Sequence, residues 1–110
     1  MSLTERACVP CQGGVEPMDR AQAEAMLAEI PAWQLDDSAR MIYRRYKLRN
    51  FVEAVDFVNR VTEVAEAEDH HPDILLGYGY AEVRVQTHKI GGLHENDFIL
   101  AAKVDELYQG

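Results

Sequence analysis

Along the chain, apolar residues recur at two periods, and their alternation predicts the order helix, strand, strand, helix, strand, strand, helix. Over residues 20–29, Ala21, Ala25, Leu27 and Ala28 stand among Glu and Gln, behind an Asp19 suited to cap a helix N-terminus. Ile30-Pro31 ends that helix, because proline pushes the residue before it out of the helical region. Residues 33–35 read as a short strand, Asp36-Asp37-Ser38 as a turn, and residues 40–48 as a longer strand. On the longer strand Ile42, Tyr46 and Leu48 share a face with Arg44, while Met41 and Tyr43 lie opposite beside Arg45 and Lys47. Apolar groups on both faces predict that the second face of the sheet is partly covered, as by another subunit.

The longest periodic stretch is residues 51–68, where Phe51, Val55, Val58, Val61 and Ala65 trace an apolar stripe. Asn50 stands at its N-cap, and Glu53 three residues on suggests a capping box. Residues 73–77 and 80–87 then read as a strand pair broken near Gly77 and Gly79, the second placing Ala81, Val83, Val85 and Thr87 inward. After a Gly91-Gly92 turn, Ile99, Leu100, Val104 and Leu107 define a last helix starting near Glu95. Neighbouring strands with short connections favour antiparallel pairing, so the expected fold is α+β: a four-stranded antiparallel sheet with three helices on one face.

Composition narrows the function classes. The 110 residues suit one domain, 18–110, preceded by a Gly- and Pro-rich stretch over residues 1–17 that reads as a flexible leader. Eleven basic against nineteen acidic side chains give a net charge of −8, which disfavours nucleic acid and anionic membrane surfaces as partners. No apolar run approaches the ~20 residues of a membrane span, and the N-terminus lacks the apolar segment of a signal peptide, so a cytoplasmic location is expected. Cys8 and Cys11 form a single CxxC. Two thiolates cannot close a tetrahedral zinc site, and the surrounding Pro and Gly read as a tail and not as a redox motif.

The chemistry concentrates in residues 66–97, which hold all four histidines, His70, His71, His88 and His94. Glu66 and His70 are four apart and would share a face if the helix reached His70, where a carboxylate would fix the imidazole tautomer. His71 precedes Pro72 and is turned out of the helical path. His88 follows the cleanest strand and precedes a turn, a place from which a side chain can enter a pocket. Asp97 lies three residues after His94, where a carboxylate caps a helix, and His94 occupies the position usual for Ser or Thr. Tyr78, between two glycines, can stack on a flat ligand or cover the core.

Glu66, three residues, His70-His71-Pro72, then Tyr78, His88 and Asp97 at set spacings together resemble the signature of the pterin-4a-carbinolamine dehydratase family. The resemblance extends to Thr87-His88 and Gly92-Leu93 around the turn, to RRYKLRNFVEAVDFVNRV, and to the CxxCxGG leader of bacterial members. Where family members often carry Trp after His-His-Pro, this chain has Ile74 and Leu75. The resemblance implies dehydration of a 4a-hydroxytetrahydropterin to the quinonoid dihydropterin plus water, in tetrahydropterin recycling, by a homo-dimer or homo-tetramer. His70, His71 and His88 would be catalytic, with Glu66, Pro72, Tyr78, Thr87 and Asp97 binding or orienting. Pterin would be the substrate, with no cofactor and no metal, since imidazoles of ordinary pKa near 6.5 can both give and take protons at neutral pH. Two rivals remain: a non-enzymatic dimerisation or binding module of the same fold, and a small metalloprotein ligated by histidine. Adjacent histidines diverge and serve one ion poorly, which weighs against the second.

Overall fold

The computed structural model describes residues 2–10 and 13–108. It contains helix α1 (Arg20–Leu27), strands β1 (Gln34–Leu35) and β2 (Ile42–Lys47), helix α2 (Phe51–Glu68), strands β3 (Asp73–Gly77) and β4 (Tyr80–Val85), and helix α3 (Glu95–Leu107). The strands form one four-stranded antiparallel sheet, as the pattern predicts, and their order in it is β1-β2-β4-β3. Register follows polarity: Ile42 faces Val85, Arg44 faces Val83 and Tyr46 faces Ala81, while Ile74 and Leu76 pair with Val83 and Ala81 from the other side. This inner face joins α2 and α3 in one core that includes Phe57, Val61, Phe98, Leu100 and Val104.

The helix signals act as their chemistry suggests, with one exception. Asp19 accepts from the Gln22 N–H, and the Gln22 side chain returns to the Asp19 N–H. Asn50 accepts from the Glu53 N–H, but the expected capping box does not close, because Arg49 draws the Glu53 carboxylate away into an ion pair at 2.7 Å. Gly79 turns the β3–β4 hairpin with a φ of +78°, a conformation that costs glycine little and other residues more. Strand β4 stops at Val85, and Thr87 instead pairs with Gly92 in an isolated bridge that closes the following turn.

Outside the core, Tyr43, Arg45, Lys47, Glu82 and Arg84 alternate onto the outer face of the sheet. Glu82 lies there between Arg84 and Arg45, and Arg84 above all holds its carboxyl below the usual carboxylate range. Leu75, on the edge strand β3, is half exposed. No helix of the described residues is long and apolar enough to cross a membrane.

The leader read over residues 1–17 makes defined contacts over its described part. Leu3 is buried in the core, and Met18 donates its N–H to the Leu93 carbonyl at 2.9 Å. Between them the Cys8 N–H reaches Glu68 at 2.8 Å, and Val9 exchanges two hydrogen bonds with the Asn96 side chain at 3.0 and 2.7 Å. Cys11 lies outside the described residues.

Candidate active site

The site is built where α2 ends. Asp69 adopts the left-handed conformation, with φ at +52°, a region that Asp tolerates better than most residues. The Asp69 and His70 N–H groups return to the Glu66 and Ala65 carbonyls, so the last turn is closed before His70 is reached. The expected Glu66–His70 pairing on one helical face therefore does not form. Reversal at Asp69 swings His70 towards α3, where its Nε2 lies 2.6 Å from Asp97. Glu66 instead meets His71, at 2.5 Å from Nε2, on the exposed side of the turn.

Asp97 is the anchor of this arrangement. It is completely buried and receives three hydrogen bonds: from His70, from the Thr87 hydroxyl at 2.8 Å, and from the His94 N–H at 2.9 Å. The last of these is the capping contact expected for a carboxylate in the first turn of a helix. The two roles open to Asp97, helix cap and imidazole partner, are thus met by one carboxylate with two oxygens. His94 caps the same helix through its ring, with Nδ1 accepting from the Asn96 N–H at 3.0 Å. Its ring is committed to that cap, which leaves the pocket to the other three histidines.

His70, His71, Thr87 and His88 line one open pocket of about 300 Å³. His88 stands on the 3-10 turn His88–Ile90, largely exposed, with Nε2 3.9 Å from Asp73. Val9, Pro10, Asp69, Gln86, Lys89 and Asn96 complete the lining, and none of these stood out as a site residue in the sequence. Asp69 had a readable signal, a helix-stop residue directly before His-His-Pro; Val9 and Pro10 had none, since nothing local ties them to residues 60 to 90 positions away. Pro72 directs the chain from His71 into β3 and is not part of the lining. Tyr78 is not brought to the pocket either. It occupies the exposed tip of the β3–β4 hairpin, at the far end of β3 from His71.

A larger groove of about 800 Å³ lies elsewhere, between Lys47, Arg60 and Tyr108, and contains no imidazole. Among the described residues, no three His, Cys, Asp or Glu side chains converge as a metal site. The Cys8 thiol, although near Asn96, is pushed up to about 12 by burial and by the charge of Glu68, so it stays protonated at neutral pH and is no nucleophile.

The family model described as Pterin 4 alpha carbinolamine dehydratase matches residues 16–107. A Halorhodospira halophila protein with the provisional name pterin-4-alpha-carbinolamine dehydratase is 79% identical, over 97% of this chain and 98% of its own. A Methylococcus capsulatus protein with the same provisional name is 56% identical, over 96% of this chain and 93% of its own. Among solved structures, a transcriptional coactivator/pterin dehydratase from Brucella melitensis superposes with a TM-score of 0.78 at 27% identity, covering 84% of this chain and 98% of that one. A pterin dehydratase-like RuBisCO assembly factor of the alpha-carboxysome shares the fold, at a TM-score of 0.60 and 21% identity over 69% of this chain and 88% of that one. With three of the signature histidines, His70, His71 and His88, around one pocket and the family match spanning the whole sheet-and-helix unit, the chain belongs to the pterin-4a-carbinolamine dehydratase family.

Proposed function

We propose that the chain dehydrates a 4a-hydroxytetrahydropterin to the quinonoid dihydropterin by histidine acid–base catalysis. The observation that carries this reading is the buried Asp97 bonded to His70 in a pocket shared with His71 and His88. Asp97 already accepts from Thr87 and His94, so it is an acceptor towards His70 as well. That assigns the proton of neutral His70 to Nε2 and leaves Nδ1 with a free lone pair. In the reaction, His70 Nδ1 takes the proton from N5 of the substrate. Protonated His88, beside Asp73, gives a proton to the 4a hydroxyl; the C4a–O bond breaks, water leaves, and the N5 electron pair forms the C4a=N5 bond. His71, steadied by Glu66 and aimed by Pro72, orients the substrate, and Thr87 holds Asp97 in place. The product is the one that tetrahydropterin recycling consumes.

The test is dehydration of carbinolamine generated in situ, followed against the spontaneous rate with and without a strong chelator. Acceleration that survives chelation is expected. Loss on chelation would favour the histidine-ligated metalloprotein, and no acceleration at all would favour a module that only binds. For assembly, the half-exposed Leu75 on an unpaired sheet edge and the exposed Phe51 and Val52 at the start of α2 favour a homo-dimer or homo-tetramer. Light scattering in solution is expected to give a mass of two or four chains; a strictly monomeric mass would exclude this.

A further inference from the structure

Residues 6–10 cross the first turn of α3 directly beside the pocket, and they lie outside the family match, which begins at residue 16. Three consecutive residues of that turn divide the work. Glu95 pairs with Arg6, Asn96 exchanges two hydrogen bonds with the backbone of Val9, and Asp97 holds His70. The strap is further secured by the Cys8 N–H on Glu68, whose carboxyl is held below the usual range by that N–H and by Lys103. Its return is anchored by Met18 on Leu93, and Gly92 makes room for it, since a Cβ there would lie 2.6 Å from the Pro17 Cβ.

The pocket lining is otherwise polar: Asp69, three histidines, Gln86, Thr87, Lys89 and Asn96. Among the described residues, Val9 and Pro10 are its only apolar members, and Val9 is 57% exposed although its backbone N–H and carbonyl are both tied to Asn96. Fixed apolar side chains left uncovered at the mouth of a polar pocket form a surface for a ligand to bury. A pterin offers hydrogen-bonding edges to the polar groups and a flat apolar face to this wall. Building on the dehydratase reading, we infer that Val9 and Pro10 form a substrate-binding wall, held at its working distance by the Asn96 carboxamide. Their contribution is to binding and not to proton transfer, since neither side chain titrates.

The experiment compares KM and kcat for carbinolamine, and equilibrium binding of 7,8-dihydropterin, in the full-length protein and in a Val9→Ser/Pro10→Ser variant. Loss of roughly 50 Å² of apolar contact is expected to raise KM, and the dihydropterin Kd, about tenfold, with kcat within about threefold. Both positions are exposed, so the melting temperature should not move. Val15→Ser, on the same segment but away from the pocket, should change neither constant. Unchanged KM and Kd in the double variant overturn the wall while leaving the dehydratase reading intact. An unaltered protein that neither dehydrates carbinolamine nor binds dihydropterin overturns both.

Discussion

His70→Ala is expected to lower kcat for carbinolamine dehydration by about 10²- to 10⁴-fold, down towards the spontaneous rate, with a much smaller change in KM. The size follows from removing a positioned proton acceptor from a site that retains its other walls. His88→Ala should fall in the same range, whereas His71→Ala should act mainly on KM, because its ring is exposed and tied to a still more exposed Glu66. Asp97→Asn sharpens the test. The amide keeps the volume of the buried carboxylate but brings an N–H where only acceptors now stand. If the amide oxygen keeps its bonds from Thr87 and His94, the amide nitrogen points at His70 and drives its proton from Nε2 to Nδ1. The lone pair that faces substrate is then lost without loss of the ring, and kcat should drop at least about tenfold. Turnover unchanged in both His70→Ala and His88→Ala would end the acid–base assignment. A drop in His70→Ala that Asp97→Asn does not share would remove the positioning role of Asp97.

The fold was legible wherever one period dominated. Phe51–Glu68 and Asp73–Gly77 have the bounds that pattern alone predicts, because cap, stripe and stop signals coincide there. Legibility failed where a single local geometry decides between two partners. Spacing pairs Glu66 with His70, but that rule assumes a helix that continues, and one left-handed residue at Asp69 hands Glu66 to His71 and His70 to Asp97. Charge competition is equally invisible: Glu53 fits a capping box until Arg49 is seen beside it. The His70–Asp97 contact joins residues 27 positions apart, and only the signature as a whole hinted at it. Contacts of Val9 and Cys8 with α3 and α2 left no trace in an aperiodic segment, since backbone hydrogen bonds to Asn96 and Glu68 need no particular residue on the strap. Tyr78 shows the opposite failure, a position matched by the signature that the single chain holds apart from the pocket.

Asp105→Ala is expected to be the most damaging change away from the pocket, lowering stability by about 2–4 kcal/mol and the melting temperature by roughly 10–20 °C. Asp105, near the end of α3, accepts from the Trp33 indole N–H at 2.9 Å, from the Tyr46 hydroxyl, and from Arg44 at 2.8 Å. Burial, and then Asp105 itself, push the Tyr46 hydroxyl far above the ordinary tyrosine range, so it remains a donor at any working pH. Arg44 enters the inner face of the sheet and lies over the Tyr46 ring at 4.3 Å and the Tyr108 ring at 5.1 Å. A charge on a core-facing strand position is tolerable only because Asp105 answers it. Truncation at Asp105 leaves one cation and two neutral donors without their acceptor. The side chains of Arg44 and Asp105 keep a fifth to a quarter of their surface exposed, so water partly re-solvates Arg44, and the loss stays below that of a fully buried pair. Asp105→Asn, which keeps one acceptor oxygen, should cost about half as much. Replacing both partners, Arg44→Met with Asp105→Leu, should recover most of the loss, because the unpaired cation disappears together with the carboxylate. Thermal melts of the four proteins decide the matter: a double variant no more stable than Asp105→Ala would mean that the aspartate acts through something other than these three donors.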